Sequence, residues 1–298
     1  MDVPANPAET ALERLIDSLH ARGRLRVWSL VITVFGDAVA PRGGRVALSV
    51  LQDLMARLRI EPGAVRTAMS RLAADRWVTR ERDGRNSYYR LAEEGRHAFD
   101  LATRRIYAAG PPEWDGRWLV AVRPGGGDNG MRLERDRLMR ELGYVPIGPA
   151  AWVRPHAGDG DPLEDVPADL LVVVGEAPRT PEDIARLWAL DELSEAYRAL
   201  ARALNALACA LDGGARLAPL DAIAARTLVS HSWRRIVLRD PGLPAALLPP
   251  DWPGEAARAR VKAIYGALGE ASEAWLDAAG LPGQGDGARF RRRFGGLA

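Results

Sequence analysis

Cysteine is almost missing from this sequence: Cys209 is the only one in 298 residues, so no internal disulfide can form. It sits in the apolar run Leu204-Asn205-Ala206-Leu207-Ala208-Cys209-Ala210-Leu211, which predicts a buried, unreactive thiol rather than a nucleophile or redox sensor. Histidine is nearly as scarce. Residues 20, 97, 156 and 231 are scattered with no close pair, and without a Cys-His or His-Glu constellation a metal enzyme finds no support. Ser230 beside His231 is not a triad signal, and no catalytic residue or cofactor is assigned. Lys262 is the only lysine, the mark of a GC-rich coding sequence, so arginine abundance by itself says little about nucleic acid. No apolar run is long enough to span a membrane, and Met1-Asp2-Val3-Pro4-Ala5-Asn6-Pro7 lacks the basic start and apolar core of a signal peptide. A cytoplasmic protein is expected. Gly125 to Gly130 is followed by no Gly-Lys-Ser or Gly-Lys-Thr, so it reads as a connector rather than a phosphate loop, and Asp159-Gly160-Asp161 with Glu164-Asp165 reads as a solvated loop rather than a calcium site.

What the chain does have is a segment, residues 61–91, that reads as a recognition helix followed by a wing. Pro62 and Gly63 open a helix expected over about Ala64 to Ala74, with Val65, Ala68, Met69 and Leu72 on one apolar face. The opposite face carries Arg66, Thr67, Ser70 and Arg71, side chains suited to base edges and phosphates. Trp77-Val78 and Tyr88-Tyr89-Arg90-Leu91 read as short strands around an Asp83-Gly84 turn signal, and Arg82, Arg85, Asn86 and Tyr88 complete the candidate DNA-binding set. Either element alone is commonplace; a solvated helix and a charged hairpin explain them separately. Their adjacency points to DNA.

Val46, Val50, Leu51, Leu54, Met55 and Leu58 predict a supporting helix just upstream, whereas the apolar, β-branched run from Leu30 to Phe35 fits either a buried strand or a buried helix. The charge balance of 41 basic and 39 acidic residues conceals an asymmetry: residues 1–107 hold 18 basic against 13 acidic, the remainder 23 against 26. Farther on, Trp118 to Val122, Ala151 to Val153 and Asp169 to Val174 read as strands and Met131 to Leu142 as a charged helix, the makings of a small α/β layer. After Pro181, Ile184, Leu187, Trp188, Leu190, Leu193, Tyr197, Leu200, Leu204 and Leu207 largely follow helical spacing; the segment Arg216 to Leu248 ends in Pro241-Gly242-Leu243-Pro244 and Leu247-Leu248-Pro249-Pro250, punctuation that fixes loops, and a third helix is expected over about Glu255 to Ala279.

Phe35-Gly36-Asp37, Pro41-Arg42-Gly43-Gly44, Val65 to Leu72 and Gly84 to Leu91 resemble the PaaX-type repressors of phenylacetic acid degradation, as do Arg105-Ile106-Tyr107, Trp114 to Trp118, His231 to Arg235 and Leu238 to Pro244. The resemblance spans essentially residues 25–268. It implies an α+β chain: an N-terminal extension (1–24), a winged helix-turn-helix (25–107), a ferredoxin-like middle domain (108–180), a helical domain for effector and dimerisation (181–280) and a flexible basic tail (281–298). It also implies a homodimer on double-stranded operator DNA, released by an aryl-coenzyme A thioester such as phenylacetyl-coenzyme A.

His231, Trp233, Arg234 and Arg235 carry the best mixed chemistry for that effector, an indole to stack and paired guanidinium groups for phosphates. The competing reading puts Trp233 in the core and lets Arg234 and Arg235 bridge to acidic neighbours such as Asp240. Two other functions stay open. The ferredoxin-like unit is similar, in that family, to a CRISPR-associated endonuclease fold, yet Ala121-Val122-Arg123-Pro124 offers no Asp where a metal ligand is needed. An architectural DNA-binding scaffold is the other.

Overall fold

The chain runs from helices through a small three-stranded sheet, a helix, a four-stranded sheet and then helices again. The computed structural model describes residues 6–21, 23, 25–125, 132–156, 166–181 and 183–297. These form two compact units that do not follow the expected boundaries: residues 1–109, 197–238 and 254–298 in one, residues 110–196 and 239–253 in the other. The expected 181–280 domain is therefore divided between the two.

The first unit is organised around α8 (Pro219–Val237), a helix buried on nearly every side, with Arg226, Thr227, Ser230 and His231 among its buried residues. Against it pack α1 (Pro7–Ala21), α2 (Val27–Val34), α3 (Leu48–Arg57), α5 (Glu93–Ile106), α9 (Gly254–Ala267) and α10 (Gly269–Ala278). The expected extension is thus a packed helix, α1, which buries Ala8, Ala11, Leu12 and Ile16. The Leu30 to Phe35 run is helix rather than strand. It continues through a π-turn (Phe35–Val39) and a short 3-10 turn (Ala40–Arg42), ending at Gly43, whose φ of 87° suits glycine. The expected helix over 255–279 is two helices, broken at Leu268.

The π-turn presents Asp37 to the interior, where it accepts from Arg226 Nε of α8 (2.8 Å), Arg293 Nη1 (2.9 Å), Tyr265 Oη of α9 (2.7 Å) and Tyr107 Oη. Arg226 also donates to Glu273 of α10 at 2.6 Å, and Glu273 in turn accepts from Arg42 at 2.6 Å. Burial pushes the Asp37 carboxyl up, but Arg226, Arg293 and the two tyrosine hydroxyls outweigh it and hold the group below its usual range. The C-terminal tail is therefore not a flexible appendage. Residues 281–297 include α11 (Gly287–Arg291) and a 3-10 turn (Arg293–Gly295), and Arg293 and Phe294 are buried.

In the second unit, β4 (Arg117–Val122), β5 (Val145–Gly148), β6 (Ala151–Pro155) and β7 (Leu171–Glu176) form an antiparallel sheet in the order β5-β6-β4-β7. β5 is the strand that the sequence patterns did not reveal. Strand alternation sends Leu119 and Ala121 to one face, with Trp152 and, from α6 (Arg132–Glu141), Met139. Trp118 and Val120 go to the other, where Trp114, Ile184, Trp188 and Leu247 pack. Ile184 to Trp188 is a 3-10 turn, not the start of the long helix: Ala189, at φ 47°, separates it from α7 (Asp191–Asp212). Cys209 lies on the exposed side of α7, against the expectation of burial, because the apolar stripe of that helix runs through Leu204, Leu207, Ala208 and Leu211 instead. Residues 126–131 of the glycine connector and helix start, and 159–165 of the acidic loop, lie outside the described residues.

Asp37→Asn removes the carboxylate that the buried Arg226 and Arg293 share, leaving Arg226 only Glu273, and an unfolding free-energy loss of about 3–5 kcal/mol is expected by urea denaturation. The folded-state pKa of Asp37 lies below its unfolded value, so its stabilisation is complete above about pH 3.9 and is lost as pH falls through that value toward the folded one. A loss no larger than the 0–1 kcal/mol or so of an exposed ion pair would refute the structural weight given to this carboxylate.

Candidate nucleic-acid interface

Within the first unit, α3 is followed by a four-residue turn and α4 (Pro62–Ala74), and then by the hairpin of β2 (Val78–Asp83) and β3 (Asn86–Leu91). A third strand, β1 (Arg45–Ala47), pairs with β3 and completes the sheet in the order β1-β3-β2. Val46 thus belongs to β1 and not to the supporting helix, which begins at Leu48; Val50 in that helix is only partly buried.

Pro62 starts α4 at a position where no amide hydrogen is needed, and Val65, Ala68, Met69 and Leu72 are buried against α2 and α3. Arg66, Thr67, Ser70 and Arg71 are all exposed, as expected. Thr67 Oγ1 donates to Gly63 O at 3.0 Å, which fixes its rotamer and leaves its lone pairs outward. Arg71 lies 3.6 Å from Asp75 and 5.2 Å from the ring centre of Trp28, so it is held flat along the helix, whereas Arg66 has no ion pair among the described residues. The turn into α4 is pinned from outside: Arg59, at φ 58°, donates to Asp17 (2.7 Å) and to Glu13 of α1, Arg57 bridges Glu13 and Asp221, and His20 meets Leu58 O at 2.9 Å. Helix α1 therefore ties down the start of the turn that leads into α4.

The hairpin is longer than the sequence pattern suggested. Asp83 pairs with Asn86, so the two-residue loop is Gly84-Arg85, with positive φ at Gly84 alone, the pattern of a type II′ turn. Arg82, Arg85 and Asn86 are exposed at the tip. Tyr88 lies farther down, with the Arg45 guanidinium 3.6 Å above its ring, so it supports the sheet and is only partly accessible. Arg45, Arg80 and Arg90 were missed in the sequence. Arg80 donates to Ser87 Oγ at 2.9 Å, and hydrogen bonds from Arg90 (2.6 Å) and Arg45 (2.9 Å) hold the Glu81 carboxylate below its usual range. Two guanidinium groups on one carboxylate leave the hairpin surface net positive, and α4 packs directly on β2.

His231, Trp233, Arg234 and Arg235 do not form one binding pocket, because successive residues of α8 point to different sides. Trp233 is fully buried, its Nε1 donates to Ile106 O at 2.8 Å, and its ring is taken up by Tyr197 and by the guanidinium of Arg258, so it has no face to offer a ligand. His231 is buried against Thr33 at 2.9 Å; burial first, then Arg234 and Arg235, push its pKa down to about 3. Arg234 is half-buried and reaches Ser29 Oγ at 3.1 Å, while Arg235 is exposed. Among the described residues, no three His, Cys, Asp or Glu side chains gather as metal ligands, and no helix is long and apolar enough to cross a membrane.

Two sequence-family models match the chain: PaaX-like protein over residues 26–95 and PaaX-like protein C-terminal domain over residues 188–278, together more than half of it. The transcriptional repressor PaaX of Escherichia coli is 28% identical over 306 residues, covering 97% of this chain and 95% of that protein. Among solved structures, an uncharacterized protein from Mycobacterium tuberculosis superposes with a TM-score of 0.57 at 25% identity, over 85% of this chain and 98% of the other.

Because His231 stays neutral in the folded chain down to about pH 3 while an unfolded histidine protonates near pH 6.5, the unfolded state binds the extra proton between those values and stability falls as pH drops through them. In His231→Gln that slope should be shallower, as read from urea midpoints at several pH values across the window; an unchanged slope would mean that His231 does not titrate on unfolding.

Proposed function

The chain belongs to the PaaX-like protein family, and from that premise we propose that it is a transcriptional repressor of an aromatic, phenylacetate-type catabolic operon and not an enzyme. The observation that carries this reading is the exposed row Arg66, Thr67, Ser70 and Arg71 on a helix whose neighbour is an arginine-tipped hairpin. On this reading α3, α4 and the β1-β3-β2 sheet make a winged helix-turn-helix. Helix α4 enters the major groove, where Arg66, Thr67 and Ser70 reach base edges, and Arg71 leaves Asp75 for a phosphate. Arg82, Arg85 and Asn86 lie along the adjacent backbone, and Arg45 and Arg80 extend that basic surface. Tyr88 is a supporting residue in this scheme.

The second unit, with its β5-β6-β4-β7 order and α6 between the first two strands, is read as the ferredoxin-like domain of the family. A homodimer in the cytoplasm would place two α4 helices on the half-sites of a palindromic operator, about one DNA turn of roughly 34 Å apart. Derepression follows when an aryl-coenzyme A thioester binds more tightly to a conformation that cannot place both helices at once.

Arg66→Ala or Ser70→Ala should cost about 1–3 kcal/mol of operator affinity and relax the preference at one base pair, whereas Arg85→Ala should weaken all sequences alike and lower the salt slope by about 1. Mobility-shift titrations on operator and random duplexes at several salt concentrations give both quantities. Equal losses on both duplexes for every substitution would overturn sequence-specific readout.

A further inference from the structure

A cleft of about 510 Å³ lies in the first unit, between α5 and the C-terminal segment 285–293. That size falls within the range of about 300–1,000 Å³ usual for small-molecule sites. Its apolar walls come from Phe99 and Phe290 and its floor from Gly36 and Tyr107. Phe99 can approach because residue 36 has no side chain: a Cβ there would stand 2.9 Å from the ring. The rim is basic. Arg289 is matched by Asp100 at 3.0 Å, and Asp286 is occupied capping α11 through the Arg289 amide at 2.7 Å. Arg104 and Arg292 line the same cleft, are exposed, and have no ion pair among the described residues.

A second, smaller cavity of about 30 Å³ shares Gly36, Phe99, Thr103 and Tyr107 with the cleft and reaches Ser230 and Arg234 of α8. There, Ser230 Oγ and Arg234 Nε are buried polar atoms with no hydrogen-bond partner, and Ser230 is only 3% exposed. Buried donors of this kind are costly unless something accepts from them. The space is enough for one acceptor oxygen. The cleft and the smaller cavity thus bring together a cationic rim, aromatic walls and two buried polar atoms without partners.

We propose that this cleft is the effector site, taking an acyl thioester whose phosphate groups meet Arg104 and Arg292, whose apolar acyl group lies between Phe99 and Phe290, and whose carbonyl oxygen accepts from Ser230 and Arg234. The proposal rests on the reading of the chain as a ligand-released repressor, and of the four residues first considered for the effector it keeps Arg234 alone. The cleft also touches Leu91 at the end of β3 and Pro41 and Gly43 just before β1, and Gly285 N donates to Pro41 O at 2.8 Å. A ligand that wedges α5 from the C-terminal segment thus bears on the base of the hairpin, which gives it different affinities for the two arrangements.

Calorimetric titration of the full chain without DNA, with phenylacetyl-coenzyme A, coenzyme A, phenylacetate and ATP as separate ligands, tests the site. Phenylacetyl-coenzyme A should bind more tightly than coenzyme A or ATP, and R104E/R292E should weaken it about tenfold or more while barely changing phenylacetate. Ser230→Val should reduce the advantage of the thioester over coenzyme A, and Thr103→Trp, which fills the junction of the two cavities, should abolish it; melting curves identify any variant that has not folded, and Thr103→Trp decides if the charge reversal fails to fold. Wild-type affinity for phenylacetyl-coenzyme A in both R104E/R292E and Thr103→Trp, or no binding of any of the four ligands by the wild-type chain, overturns the site. Operator binding without ligand is measured separately: if the wild-type chain lacks it, the repressor reading fails whatever the calorimetry shows, and if R104E/R292E alone loses it, those arginines face the DNA backbone and the effector site is refuted.

Discussion

The ion cluster at Asp37 is the constraint on which the first unit depends. One carboxylate, delivered by a π-turn, collects guanidinium groups from α8 and from the C-terminal segment and hydroxyls from the end of α5 and from α9; through Arg226 and Glu273 it extends to α10 and Arg42. Taking these charges out of water costs several kcal/mol per ion, so the cluster is stabilising only when every partner is in place. Aromatic faces help to make the burial tolerable: the Arg293 guanidinium lies 3.9 Å from the Tyr107 ring centre, and that of Arg226 4.7 Å from that of Tyr265. An interior that is satisfied all at once or not at all ties residues 37, 107, 226, 265, 273 and 293 into one cooperative body.

That body is continuous with the elements that present α4. Helix α2, whose extension carries Asp37, packs on α4, and α5 runs from the foot of the hairpin to Tyr107. Each route is a single rigid element with one end at the cluster and the other at the candidate DNA surface. Coupling between a ligand beside α5 and the hairpin therefore needs no long chain of small adjustments; a shift of one helix suffices, since packed elements move as units between discrete arrangements.

Local features were legible in the sequence and long-range pairings were not. Residues 62–74 and the hairpin could be read because the apolar period, Pro62 and Gly84 act over a few residues. β1 was folded into the helix pattern because Val46 falls four residues before Val50 and eight before Leu54, and only its register with Tyr89 on β3 separates it. Cys209 was misplaced because every neighbour in an alanine-rich helix looks apolar, and the seam is chosen by what packs against it. The motif around Trp233 was chemically suggestive, yet its residues are turned to different sides of α8, with the indole in the core. Tyr107 and Asp37 lay within the motifs that carried the family resemblance, and their mutual contact is a pairing across 70 residues that no periodicity encodes.

The three consecutive arginines near the C-terminus show most plainly why such pairings matter. As a sequence, Arg291-Arg292-Arg293 is a basic run, and basic runs are ordinarily solvated. In the folded chain the three have different environments: Arg291 and Arg292 are exposed, Arg292 lining the cleft beside α5, whereas Arg293 is buried on Asp37. The buried member anchors the segment, and because it is anchored the exposed one is held at a fixed place on the rim instead of being averaged over solvent. A charge that would be worth little on a loose tail becomes part of a preorganised surface, so the folding role of Arg293 and the binding role assigned to Arg292 are two consequences of the same short turn.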